Sequence, residues 1–311
     1  MIGPGDLIAL VTFEGAVYPN LAITRERLGK PQQAPHALAA ALTHWLRRRD
    51  LWLEVRGRQI HGIATARPLA GPDAWQIDTL IDAGDRDGAV LGALLAQAEE
   101  EALRSEVHML LLRMPAAFED AVAEVRSYGF DPVLAERLWR APVAGRAPVS
   151  ARKSLPDVRE AVESDWFGRF QLCQRLLPPA ARRVLAPTYE QWRAMLEQQW
   201  LGRRPHDLVA SEGGRIAGCL SLGRCQGGEQ LDLQAASSEA AVALLAGARP
   251  RLTSGEPLFA LTPAGSTAVE SALAGAGFEL QEEYVLLSRR LTQPVEETVP
   301  ATVGVAAPAG G

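Results

Sequence analysis

A carboxylate in the middle of an apolar strand is costly unless it is paired or does chemistry. Asp78, in Trp75-Gln-Ile-Asp-Thr-Leu-Ile81, is such a residue. Strand alternation puts Gln76, Asp78 and Leu80 on one face, and Trp75, Ile77 and Thr79 on the other. Buried there, Asp78 could serve as a general base that takes a proton from a substrate. It could equally form a structural pair with His61 or Arg67 of the preceding strand. Glu54, in Leu51-Trp-Leu-Glu-Val55, reads either as a second base or as an exposed strand-face glutamate. Asp232, in Gln230-Leu-Asp-Leu-Gln234, holds the matching place later in the chain. That recurrence favours a fold-level role for the aspartate, such as capping backbone N–H groups.

Other chemistries find less support. The histidines (His36, His44, His61, His108 and His206) show no metal-ligand spacing. Three scattered cysteines are too few for a disulfide framework or a zinc site, and a reducing cytoplasm fits them best. Cys219 and Cys225 lie on or beside a strand with no aligned histidine and read as packing residues. No metal is expected. The net charge of −5 gives no electrostatic reason to expect nucleic acid or an anionic membrane. A small-molecule partner is the expectation, with the chain a monomer or homodimer.

The elements that must position these groups repeat. With 311 residues, 47% apolar and 22% charged, the chain has ordinary globular usage and room for two domains. Each half shows a hairpin, a strand, a helix, a strand, a short helix ending in Gly-Phe, and a last strand. The hairpins are Leu51–Val55 with Gln59–Arg67, and Asp207–Ser211 with Arg215–Leu222. The helices span about Gly88–Arg104 and Glu239–Ala248, and the Gly-Phe pairs are Gly129-Phe130 and Gly277-Phe278. Gly62 with Gly218, Asp78 with Asp232 and Gly129 with Gly277 sit at similar offsets. The expected layout is an N-terminal domain over 1–141, a Pro- and Ala-rich linker over 142–156, a second domain over 157–291 and a disordered tail over 292–311.

This doubled pattern resembles the GNAT-type N-acetyltransferase superfamily in tandem. It is carried by Gly57-Arg-Gln-Ile-His-Gly62 against Gly214-Arg-Ile-Ala-Gly218, by the strand before each helix, and by the terminal Gly-Phe. The resemblance implies an α/β fold of two GNAT-like domains, each a mixed, mostly antiparallel sheet flanked by helices. It implies acetyl-CoA as cosubstrate, a small amine as acceptor, and a gap between two splayed strands for the donor. The sheets of the two halves are expected to pack across a shared interface. Aligned with the family's phosphate loop, the first half gives Arg86, Gly88, Ala89, Val90, Leu91 and Gly92, behind strand residues Ile77, Thr79, Leu80 and Ile81. In the second half Glu239, behind Ser237 and Ser238, would already satisfy the helix dipole and repel pyrophosphate. The cofactor is therefore expected in the first half, with Asp78 as base. The tyrosine many family members use as acid is replaced by Val125 and Leu273. The other reading is a non-catalytic sensor or scaffold of this fold. An open groove beside residues 75–81 separates enzyme or sensor from scaffold.

Overall fold

The structure, a computed structural model, describes residues 18–29, 50–56, 59–70, 73–83, 88–141, 156–198, 206–253 and 255–291. In the first half these form β1 (Asp50–Arg56), β2 (Gln59–Ala70), β3 (Ala74–Asp82), α1 (Ala89–Arg104), β4 (Met109–Pro115), α2 (Glu119–Ser127) and β5 (Asp131–Ala141). The second half adds β6 (Asp157–Glu160), α3 (Trp166–Leu176), α4 (Pro179–Leu185), α5 (Tyr189–Gln198), β7 (His206–Glu212), β8 (Arg215–Cys225) and β9 (Gly228–Ala235). It closes with α6 (Ser238–Ala248), β10 (Leu258–Pro263), α7 (Thr267–Gly275) and β11 (Glu279–Arg290). The predicted linker, apart from Pro156, the predicted tail and most of residues 1–49 lie outside the described residues.

The order of elements matches the doubled pattern, but the strands are shared differently. All eleven form one sheet in the order β1-β2-β3-β4-β11-β5-β10-β9-β8-β7-β6. β11 pairs antiparallel with β4, and β5 pairs antiparallel with β10. Each half's last strand therefore completes the other half's sheet, and the two meet along the β5–β11 ladder. The expectation of two sheets packed against each other gives way to exchanged strands in one sheet. Alternation gives a strand its faces but does not say which edge it joins.

The helices cover both faces. α1 and α2 pack with Ile77, Leu80, Leu110 and Leu112 into one core. α6 and α7 pack with Leu208, Leu220, Leu231 and Leu233 into its counterpart. α3, α4 and α5 lie on the opposite face: Trp192 and Cys173 pack with Leu134 and Leu286 of β5 and β11, and Val184 and Met195 with Leu69 and Leu111 of the first half.

The doubled glycines have a steric reason. A Cβ on Gly62 would lie 2.5 Å from Val90 Cγ1, and one on Gly218 would lie 2.7 Å from Leu244 Cδ1. These glycines let α1 and α6 sit close to the hairpins. Each also adjoins a bulge, between Glu54 and Val55 in one half and Ala210 and Ser211 in the other.

The two strands that carry the matched aspartates differ. Thr65 faces Thr79 and Ala66 faces Ile77, so β3 bulges at Asp78. β9 runs through Asp232 without a bulge, with Ser221 opposite. A bulge shifts the face of every later residue. Leu80 accordingly joins Trp75 and Ile77 in the α1 core rather than sharing the face of Asp78, as plain alternation predicts.

Candidate active site

Both halves contain a splayed pair of parallel strands. β3 and β4 are in register from Ala74↔Met109 to Ile77↔Leu112. β9 and β10 are in register from Glu229↔Leu258 to Leu231↔Ala260. Asp78 and Asp232 are the first residues past the end of their ladders.

The first gap is filled by the chain itself. Residues 20–28, including a 3-10 turn over Arg25–Arg27, run through it as a strap. The Asn20 Oδ1 accepts from the Leu80 N–H at 2.8 Å, and the Leu21 N–H donates to the Leu80 carbonyl at 2.8 Å. The Asp78 carbonyl accepts from Asn20 Nδ2 at 3.3 Å and from Arg27 Nη1 at 2.7 Å. Across the gap, the Ile23 N–H donates to the Arg113 carbonyl at 2.9 Å. The backbone groups that an inserted ligand would use on β3 are taken. Asp78 is 1% exposed, and its carboxylate accepts from the Thr65 hydroxyl. Arg67, one expected partner of Asp78, instead bridges Glu26 at 2.5 Å and Gln76 at 3.2 Å.

The strap continues into the second half. The Glu26 and Leu28 carbonyls accept from the Gln226 and Gly227 N–H groups, and Ile23 and Leu28 pack with Phe259 and Tyr284. Arg25 Nη1 reaches to 3.5 Å from Asp232 Oδ2.

The remaining expected cofactor residues are dispersed or packed. Arg86 lies outside the described residues, and so does the side chain of Glu54. Gly88 starts α1 with φ 74°, and a Cβ there would lie 1.8 Å from Glu124 Oε1. That places a carboxylate against the helix N-terminus, where an anion would otherwise gain from the dipole. Val90 and Leu91 are in the core; Gly92 lies under the Tyr128 hydroxyl; Ala89 is exposed.

Among the described residues the second gap is open. A cavity of about 600 Å3 occupies it, bounded on one side by Asp232–Ala236 and on the other by Pro263–Val269. α3, α4 and α5 roof it with Cys173, Leu185, Trp192 and Met195, together with Leu177 at the end of α3. Asp232 faces it with its side chain 11% exposed. Its salt bridge with Arg25 is the only side-chain partner it has among the described residues. Two further polar atoms at the cavity, Arg25 Nη1 and Gln234 Oε1, are buried without a hydrogen bond among the described residues. Buried polar atoms left unpaired are uncommon and call for an explanation.

Neighbouring groups hold this floor. The Arg113 guanidinium grips Glu136 through Nε at 2.5 Å and Nη2 at 3.1 Å, so β4 and β5 are tied across the intervening β11. Arg169 donates to Asp207 at 2.9 Å and to Ser221 at 3.1 Å. Burial pushes the Cys173 thiol up to about 12 and the Cys219 thiol up to about 11, which leaves neither as a nucleophile near neutral pH. Val125 and Leu273, where the family's tyrosine would stand, are both fully buried in the cores. Tyr284 is also buried; its hydroxyl donates to Glu282 at 2.6 Å, and burial holds its phenol above the ordinary range. At α6 the Ser237 hydroxyl caps the Ala240 N–H at 3.2 Å and itself donates to Glu212 at 3.0 Å, with Glu239 in the first turn. The α6 N-terminus, already capped by Ser237 and flanked by Glu212 and Glu239, does not suit a pyrophosphate.

Sequence reasoning singled out Asp232 only for a fold-level role, and missed Arg25, Asn20, Arg113 and Gln234. No local signal marks them, because each acquires its place from partners distant in the chain. Among the described residues no cluster of histidine, cysteine and carboxylate side chains could hold a metal ion, and no helix is long and apolar enough to cross a membrane.

The exchanged sheet, the two splayed pairs and the covering helices are the tandem GNAT fold. Solved structures match it over 78–93% of the chain. A tandem GNAT protein from the clavulanic acid biosynthesis pathway, solved without AcCoA, is 15% identical with a TM-score of 0.52, covering 93% of this chain and 94% of its own. A GCN5-related N-acetyltransferase from Sphaerobacter thermophilus is 14% identical with a TM-score of 0.51, covering 93% and 91%. A functionally unknown conserved protein from Staphylococcus epidermidis is 12% identical with a TM-score of 0.55, covering 78% and 95%. No family model matches the chain, and no curated protein matches it by sequence.

Proposed function

We propose that the chain is a thioester-dependent N-acyltransferase for a small amine, with acetyl-CoA the first donor to test and the reacting centre in the second half. The observation that carries this reading is the open gap beside Asp232–Ala235, set against a first gap filled by the strap. The first half is then a structural partner that delivers the strap and β5.

Asp232 takes the ammonium proton of the acceptor, directly or through water. The amine nitrogen forms a bond to the acyl carbon, the carbon–sulfur bond breaks, and the second proton lost from that nitrogen passes through water to the departing thiolate. The thioester supplies the acyl group; this chain's residues bind, orient and exclude water. The apolar roof of Trp192, Leu177 and Met195 lowers the local dielectric around Asp232. The donor's phosphates stay outside the α6 end, away from Glu212 and Glu239.

Calorimetric titration with acetyl-CoA tests the placement. One site per chain is expected, lost in Gln234→Trp, whose side chain fills the cavity. Two sites, or one that survives the variant, would return the donor to the first half. No binding at millimolar acetyl-CoA would remove it as donor.

A second reading is a metabolite-binding protein without transfer. The capped α6 end and the buried Val125 and Leu273 favour it. Saturable binding with no product across a panel of amines would decide for it.

A further inference from the structure

We propose that the second-half cavity takes an α-amino acid with an apolar side chain, its ammonium on Asp232 and its carboxylate on Arg25. As a claim about the acceptor of the reaction, this rests on the acyltransferase reading above. As a claim about binding, it stands without it.

The charges at the cavity are specific. Arg113 and Glu136 grip each other through two hydrogen bonds and cancel. Arg175 lies at the edge and donates to the Ile216 carbonyl. The pair that faces the interior is Arg25 and Asp232, 3.5 Å apart with no hydrogen bond between them. Each has donor or acceptor capacity left unused in a largely buried place. A buried ion pair with poor geometry recovers little of its desolvation cost. The arrangement suits a ligand that presents both charges from one carbon, because such a ligand gives each partner a charge-assisted hydrogen bond.

The apolar roof adds the third recognition element. Trp192, Leu177 and Met195 offer area for an aliphatic or aromatic side chain. Gln234 Oε1 is an acceptor at the same floor without a partner among the described residues and can take a second ammonium hydrogen. A plain amine would satisfy Asp232 but leave Arg25 unmet, and a plain carboxylate would do the converse.

Arg25 is thus the specificity-determining residue. It arrives on the strap from the first half, so the filled first gap and the open second one belong to a single device. Removing the carboxylate from the ligand and removing the guanidinium from the protein should have the same, non-additive effect.

The test pairs L-leucine with 3-methylbutylamine, and L-phenylalanine with 2-phenylethylamine, as acceptors with acetyl-CoA. The amino acids are expected to be better by about ten-fold or more in kcat/KM, the value of one charge-assisted hydrogen bond. Arg25→Gln should remove the preference by raising KM for the amino acids alone, and Arg25→Lys should restore part of it. A preference for the amines, or one that survives Arg25→Gln with its melting temperature unchanged, overturns the proposal. If Arg25→Gln does not fold, Arg25→Lys decides: an unchanged preference overturns the proposal. If no acceptor turns over, the transferase reading falls, and calorimetry without donor decides the rest. L-leucine binding that weakens about ten-fold in Arg25→Gln sustains the zwitterion site, and no L-leucine binding overturns it.

Discussion

Asp78 and Asp232 each stand one residue past the end of a parallel ladder, yet one is sealed and the other faces a cavity. The bulge at Asp78 and the hydroxyl of Thr65 turn the first carboxylate into a structural acceptor. β9 has no bulge at the second, and among the described residues the strap reaches it only through the Arg25 side chain, so it faces the gap. The same residue at the same register has different surroundings in the two halves.

Exchange of one residue in each half separates the two roles. Asp232→Asn should lower turnover by about 100-fold or more, as expected when a general base is lost, with little change in melting temperature. Asp78→Ala should keep turnover within a small factor but strand the buried Thr65 hydroxyl, at about 1–3 kcal/mol of stability. Steady-state kinetics and denaturant melts on both variants would check this. A catalytic collapse in Asp78→Ala with normal stability would return the base to the first half.

The strap should be cooperative with the fold. Asn20 satisfies the Leu80 and Ala22 N–H groups with a single oxygen, at 2.8 and 3.1 Å. Asn20→Ala should therefore cost about 1–3 kcal/mol, read as a lower unfolding midpoint. Gly227→Ala probes the strap from the other side: its Cβ would lie 2.6 Å from the Leu28 carbonyl oxygen, so the strap backbone must shift. Faster hydrogen exchange over residues 20–28 is expected, with the core of α1 unchanged.

The Arg113–Glu136 pair is almost wholly buried, with side-chain exposures of 7% and 3%. Glu136→Leu alone leaves an uncompensated guanidinium and should destabilise by about 3–5 kcal/mol. Adding Arg113→Met should recover most of that loss. A double variant as unstable as the single one would mean that the pair is not the dominant interaction at this site.

Thiol labelling gives a pH test. All three cysteines are buried, and burial raises Cys173 to about 12 and Cys219 to about 11. A raised thiol pKa means that the thiolate is scarce below it. At pH 8 the native protein should label at both positions orders of magnitude more slowly than the unfolded chain. Rapid alkylation of Cys173 in the native state would show that the cavity roof opens.

Much of the fold is legible in the sequence because its signals are local. Alternation located the strands, apolar spacing located α1 and α6, and the Gly-Phe pairs marked the ends of α2 and α7. What stayed hidden depends on distant partners. The placement of β11 against β4 cannot be read from Glu279–Arg290, whose pattern would fit several edges. The strap's Asn20 carries no mark of Leu80. Asp232 was visible by its match with Asp78, but its openness depends on where the strap lies.

The exchanged strands also set an order of events during synthesis. β4 is among the most apolar strands of the first half, Met109-Leu-Leu-Leu-Arg-Met-Pro115, and its free edge is covered by a strand made near the end of the chain. Until residues 279–290 emerge, that edge is an unpaired template for wrong partners. The first half cannot finish folding while the ribosome is still making the second, and a stalled chain would be aggregation-prone rather than half functional. The duplication has become irreversible in this sense: neither copy can be shed, because each now holds the other's last strand.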